Sequence, residues 1–123
     1  PLSSLSRLMK DSVGKHHTRE DHKDVSSQLY ACYSKALDTR ELKSIVGTES
    51  LSDLDRSYLK FADLFEKKFI DQGETERTFI ETLDLAWLIL SYSLPKRELV
   101  RIEKDFIETY YVTDKAKFKV FEE

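Results

Sequence analysis

Glycine and proline are scarce, with three glycines and two prolines in 123 residues. So few breakers leave little room for the tight turns of an all-β chain. With 35% charged and 40% hydrophobic residues, the composition points to helices with solvated outer faces around a real core. Cys32 is the only cysteine, which excludes an internal disulfide and makes a reducing compartment the simpler setting. No apolar run is long enough to span a bilayer and no signal peptide is visible, so no direct membrane insertion is expected. A dominant charge is missing too. The 20 basic and 23 acidic residues are interspersed and sum to −3, so the basic stripe of a nucleic-acid binder is absent.

What is present is helical periodicity. Residues 1–17 show no period and read as an irregular segment. Thr18 is placed to cap a helix, with Glu20 and Asp21 in its first turn and Asp21 at the capping-box position. Val25, Leu29, Cys32, Tyr33 and Ala36 then recur at steps of three and four, predicting an amphipathic helix to about Asp38. Thr39 can cap a short second helix that Gly47 ends. Ser52 is a good N-cap, and Leu54, Tyr58, Phe61, Phe65 and Phe69 form the cleanest stripe, closed by Gly73. Thr78 and Glu81 make a capping box for a helix that is apolar almost all round, through Ile80, Leu83, Trp87, Leu90 and Leu94, and hence central. Pro95 can start a last helix with the stripe Leu99, Ile102, Phe106 and Tyr110. The expectation is an all-α helical bundle of four main helices plus one short helix over 18–113, with an irregular N-terminal segment and a charged tail at 114–123.

The residues carry little local chemistry. His16, His17 and His22 fit no zinc spacing and read as solvated histidines at a helix start, so no metal site is expected. "VGKHH" lacks both the upstream glycine and the Ser or Thr of a phosphate loop. Trp87 and the phenylalanine stripe read as core, and Cys32 as a small buried hydrophobe. No Ser–His–Asp or paired-carboxylate arrangement stands out. "ESLSDLD" (49–55) is an acidic inter-helix segment, readable as a capped turn or as a contact surface for a basic partner. Arg7 is the odd residue, standing in "PLSSLSRLMKDS" outside any helical pattern.

Several stretches together resemble a known family. "PLSSLSRLMKDSVGKHHTREDH" is similar to the segment leading into the C-terminal helical domain of the B subunit of archaeal and vacuolar-type rotary ATPases. "LSDLDRSYLKFADLFEKKFIDQG", "RTFIETLDLAWLIL" and "LPKRELVRIEKDFIETYY" resemble successive parts of that domain, in order. The tail from Asp114 has no counterpart in the resemblance.

The resemblance implies a non-catalytic component of an ATP synthase or ATPase, peripheral to the membrane in the soluble, cytoplasmic sector. Its implied partners are the catalytic A subunit, the central-stalk subunits and the remainder of the B subunit, whose β-barrel and nucleotide-binding domain would precede residues 1–17. ATP or ADP with magnesium is implied at the interface with the A subunit, not on this chain. Arg7 matches the arginine that reaches a neighbouring nucleotide in trans as an arginine finger. The turn of Glu49, Ser50, Leu51, Ser52, Asp53, Leu54 and Asp55 matches the one facing the central stalk. The competing class is an unrelated helical adaptor that binds a partner through an exposed face.

Overall fold

In the computed structural model, which describes residues 19–70 and 79–122, all regular structure is helical. Helix α1 spans His22–Val46. Its buried positions Val25, Leu29, Cys32, Ala36 and Thr39 repeat at the predicted three- and four-residue steps. The expected break before Thr39 does not occur. Thr39 is buried within one 25-residue helix, and its hydroxyl donates to the Lys35 carbonyl at 2.9 Å instead of capping a second helix. A threonine can satisfy itself on the preceding turn this way without ending a helix. Gly47 does end α1: at φ 83°, ψ 162° it takes a conformation open to glycine, and its N–H donates to the Lys43 carbonyl.

A 3₁₀ turn, Thr48–Ser50, leads to α2, Asp53–Leu64, which continues as a π-helical turn through Phe65–Ile70. Ser52 caps α2 with a full capping box: its hydroxyl accepts from the Asp55 N–H, and Asp55 accepts from the Ser52 N–H. Pairs across the two helices run antiparallel, with Arg56 meeting the Thr48 carbonyl, Arg40 meeting Asp63 and Glu66, and Tyr33 meeting Glu66. The hairpin of α1 and α2 is thus closed at one end by the turn at 47–52.

Helix α3, Phe79–Ser93, packs against both helices of this hairpin and supplies the middle of the core. Leu83, Ala86, Trp87, Ile89 and Leu90 are buried on several sides of it, as its all-round apolarity requires. They join Val25, Leu29, Cys32, Tyr58, Phe61 and Phe65 in one cluster. Ile80, expected on the same face, is instead 50% exposed near the start of the helix. Thr18, Gly73 and Thr78 lie outside the described residues, so the caps expected of them do too.

The last predicted helix is divided. Pro95 precedes a single 3₁₀ turn, Lys96–Glu98, and the α-helix proper, α4, covers only Lys104–Tyr110. The reason is tertiary. Buried Gln28 accepts from the Arg101 N–H at 2.8 Å, and Asp24 accepts from the Glu103 N–H at 3.1 Å. Two N–H groups that a helix would turn inward are taken by side chains of α1. Leu99 and Ile102 still reach the core. Beyond α4, Tyr111 donates to the Ser91 and Leu94 carbonyls, and a 3₁₀ run, Lys115–Phe121, lays Phe118 and Phe121 on Tyr92 at ring distances of 5.1 Å.

Candidate functional site

Two places on this bundle concentrate polar groups against exposed or strategically placed surface. The first is the closed end of the α1–α2 hairpin. Every residue from Glu41 to Ser50 is exposed, so the last two turns of α1 stand clear of the core. They carry apolar side chains: Leu42 is 41% exposed, Ile45 74% and Val46 42%. The seven residues expected to form a contact turn divide by burial. Glu49, Ser50, Ser52 and Asp53 are exposed, Leu51 is buried beneath the turn, and Leu54 packs against the main core. Asp55 is engaged with the Ser52 N–H. The end therefore presents Glu49 and Asp53 as outward carboxylates beside an apolar ridge, with Leu51 and Leu54 as anchors. Single exposed carboxylates interact weakly, whereas desolvated apolar side chains can carry a contact.

The second place is the beginning of α1. Asp21 was expected to cap from the first turn; it has helical backbone angles and no capping bond from its side chain. Its fully buried carboxylate accepts from the Trp87 indole N–H at 2.6 Å and from Arg19 Nε and Nη2 at 2.7 and 3.0 Å. Arg19 also donates to Asp84 at 2.8 Å, and its guanidinium lies 4.2 Å from the centre of the Tyr110 ring. Partial burial pulls down the Arg19 pKa, but the bonds to Asp21 and Asp84 outweigh it, and the net shift is upward. The cluster ties the start of α1 to α3 and α4. A buried tryptophan needs an acceptor for its N–H, and this is the signal by which the partner could have been sought.

Arg7, His16 and His17 lie outside the described residues. His22 is fully buried at the start of α1, where a solvated histidine was expected; it stands three residues before Val25 and seven before Leu29, on the buried face of the helix, while Lys23 is exposed. Cys32 is 2% exposed and receives the Gln28 amide at 3.2 Å. Burial pushes its thiol up to about 11, as suits an inert small hydrophobe. Nearby, burial and a 2.7 Å bond to Glu98 raise the Tyr58 phenol. Across the hairpin, the Arg40 bond holds the Glu66 carboxyl below its ordinary value, with Tyr33 assisting. Gln28, Asp24 and Glu98 were not singled out in the sequence. Gln28 carries a trace in the pattern, a polar residue on the stripe between Val25 and Cys32.

Among the described residues, no group of three or more His, Cys, Asp or Glu side chains could hold a metal ion, and no helix is long and apolar enough to cross a membrane. The polar clusters described so far join helices to one another, and the exposed hairpin end is suited to contact.

The family model for the C-terminal domain of V and A type ATP synthase matches residues 11–111. The B subunit of the A-type ATP synthase of Aeropyrum pernix is 58% identical over 111 residues, 89% of this chain and 24% of that protein. Its counterpart in Metallosphaera sedula, of the same name, is 52% identical over 117 residues, 94% of this chain and 25% of that protein. The V-type ATP synthase beta chain of Thermus thermophilus is 54% identical over 111 residues, 90% of this chain and 23% of that protein. The chain thus spans about a quarter of the length of these relatives. With its match across most of the described bundle, the chain belongs to the family of C-terminal domains of V and A type ATP synthases.

Proposed function

We propose that this chain is the C-terminal helical part of the non-catalytic B subunit of an archaeal or vacuolar-type rotary ATP synthase. On this reading it helps form the hexamer of A and B subunits around the central stalk, which couples ATP synthesis or hydrolysis to ion transport. The chain would sit in the soluble sector of that complex, peripheral to the membrane. ATP or ADP with magnesium would lie between the A and B subunits. Arg7 would extend its guanidinium toward the phosphates from the B side, where fork geometry and fixed charge stabilise a transferring phosphoryl group by roughly a thousandfold to a hundred-thousandfold.

The observation that carries the reading is the exposed hairpin end. Leu42, Ile45 and Val46 stand in solvent beside Glu49 and Asp53, at the end of a helix whose earlier turns are committed to the core. An apolar ridge edged by carboxylates suits a basic, amphipathic helix of a central stalk. The test is a cysteine at Ser50 in the reassembled complex, combined with a short cross-linker. Products with a central-stalk subunit are expected, changing with the rotational state. Products confined to other B subunits, or none at all, would remove the stalk contact from this turn.

A further inference from the structure

The C-terminal 3₁₀ run builds something the family match does not contain, since that match ends at residue 111. Lys115–Phe121 folds back along α3, held by the Val112 N–H bond to Ser91 Oγ at 2.9 Å and by Phe118 and Phe121 on Tyr92. Between this run, α3 and α4 lies a cavity of about 750 Å³. Leu85, Leu88, Tyr110 and Phe121 give it an apolar lining, and Lys68 and Lys117 line it too. The volume falls in the range of small-molecule sites, which combine an apolar wall with a few polar groups.

The charges at the cavity do not cancel. Asp84 also lines it and accepts from Arg19 at 2.8 Å, but that guanidinium is shared with Asp21, so among the described residues Lys68 and Lys117 leave one positive charge in excess. The Trp87 indole N–H is likewise committed, to Asp21, so Trp87 offers the cavity only its apolar ring. Thr109 donates its hydroxyl to the Asp105 carbonyl. Among the described residues, what remains for a ligand is an apolar surface and two ammonium groups, one of them in excess of the carboxylates. We propose that this cavity binds a small amphiphile with an apolar body and a single anionic head, a carboxylate or a phosphate, and that the C-terminal run supplies half of the recognition through Lys117 and Phe121.

Trp87 is the chain's only tryptophan and lines the cavity, so its fluorescence reports occupancy directly. The intact chain is titrated with decanoate, decyl phosphate and decyltrimethylammonium, all below their micelle concentrations. The expected result is saturable binding of one anion per chain. The better of the two anions identifies the head group, and the cation binds at least tenfold more weakly. Lys68→Glu and Lys117→Glu should each weaken the anion about tenfold, a favourable pairing at the surface becoming a like-charge contact. Both lysines lie outside the core cluster, so thermal midpoints should stay near the parent's. A chain ending at Thr113 keeps the Tyr111 and Val112 anchors on α3 and should lose the binding. Non-saturable binding, equal binding of the cation, indifference to both charge reversals, or retention by the shortened chain would each overturn the proposal.

Discussion

Replacing Asp21 with alanine should destabilise this domain more than any change to its exposed charges. The carboxylate is fully buried and holds three donors: the Trp87 indole at 2.6 Å and two Arg19 nitrogens at 2.7 and 3.0 Å. Without it, the indole N–H of a residue 1% exposed has no carboxylate to meet. Stranding a buried donor costs about 1–3 kcal/mol. The Arg19 side chain is 17% exposed and keeps Asp84 and the Tyr110 face, so its loss is smaller, about 1 kcal/mol. Together the expected loss is roughly 2–4 kcal/mol, a large part of the 5–15 kcal/mol typical of a domain. It should lower the melting midpoint by roughly 10 °C. Asp21→Asn keeps an acceptor for the indole and should lose about half as much. The assay is urea unfolding followed by far-ultraviolet circular dichroism, for Asp21→Ala, Trp87→Phe and the double variant. Because the two residues share one hydrogen bond, their effects should fall short of additive by about 1 kcal/mol or more. A loss below about 0.5 kcal/mol for Asp21→Ala, or strict additivity with Trp87→Phe, would refute the idea that the cluster ties α1 to α3.

In a reassembled full complex, Arg7→Ala should cut ATP turnover steeply, and Arg7→Lys should also be poor because lysine lacks the planar fork; near-normal turnover in either would sink the arginine-finger role. Cys32 should stay unmodified by a thiol reagent at mildly alkaline pH and react only at the rate of unfolding, since burial pushes its thiol up to about 11; rapid labelling of the folded chain would contradict its placement. Glu66, whose folded pKa is lowered by Arg40, contributes stability that is complete above the ordinary carboxylate value and fades as pH falls through the lowered one. Glu66→Gln should therefore flatten the decline in stability below about pH 5, and an unchanged profile in urea titrations would count against the Arg40–Glu66 pairing.

The helical class and most of the core were legible because they rest on period alone. The stripes through Leu29 and Cys32, through Tyr58 and Phe61, and through Leu83 and Trp87 all turn inward as their spacing demands. Gly47 and Ser52 were legible for a related reason: a positive φ and a capping box are local needs with local residue signatures. The misplaced boundaries share the opposite cause. Thr39 could cap a helix or bond back within one, and packing against the bundle selects the second. Nothing near Arg101 or Glu103 marks a break; their N–H groups are claimed by Gln28 and Asp24, more than seventy residues away in sequence. The same applies to the candidate sites. The turn proposed as a contact was visible as an acidic segment, but the apolar ridge beside it was not. Leu42, Ile45 and Val46 look like core residues until it is known that α1 outruns its neighbours. The cavity beneath the C-terminal run was invisible, because a stretch reading as charged tail gains its place only through Tyr92.

To serve the proposed stalk contact, the exposed hairpin end would have to be stiff. Isolated helix ends fray, and the last turns of α1 receive no burial to hold them. Their order comes from the turn instead. Gly47 returns its N–H to Lys43, Ser50 and Leu51 close the 3₁₀ turn onto Gly47 and Thr48, and Arg56 reaches back from α2 to the Thr48 carbonyl. The capping box of Ser52 and Asp55 fixes where α2 begins, and Leu51 is buried between these constraints. Two helices are thus clamped together at their far end by backbone and capping bonds rather than by core. A force applied to Ile45 or Glu49 would then pass along α1 and α2 into the cluster of Phe61, Phe65 and Trp87 without first melting the tip. Substituting Gly47 with alanine strains a backbone at φ 83° although open space surrounds it, so it should loosen the tip while leaving the packed body intact. Hydrogen exchange localises the effect: faster exchange confined to residues 41–56 is what this arrangement requires. Acceleration spread through α3 would mean that the tip and the core are one cooperative unit.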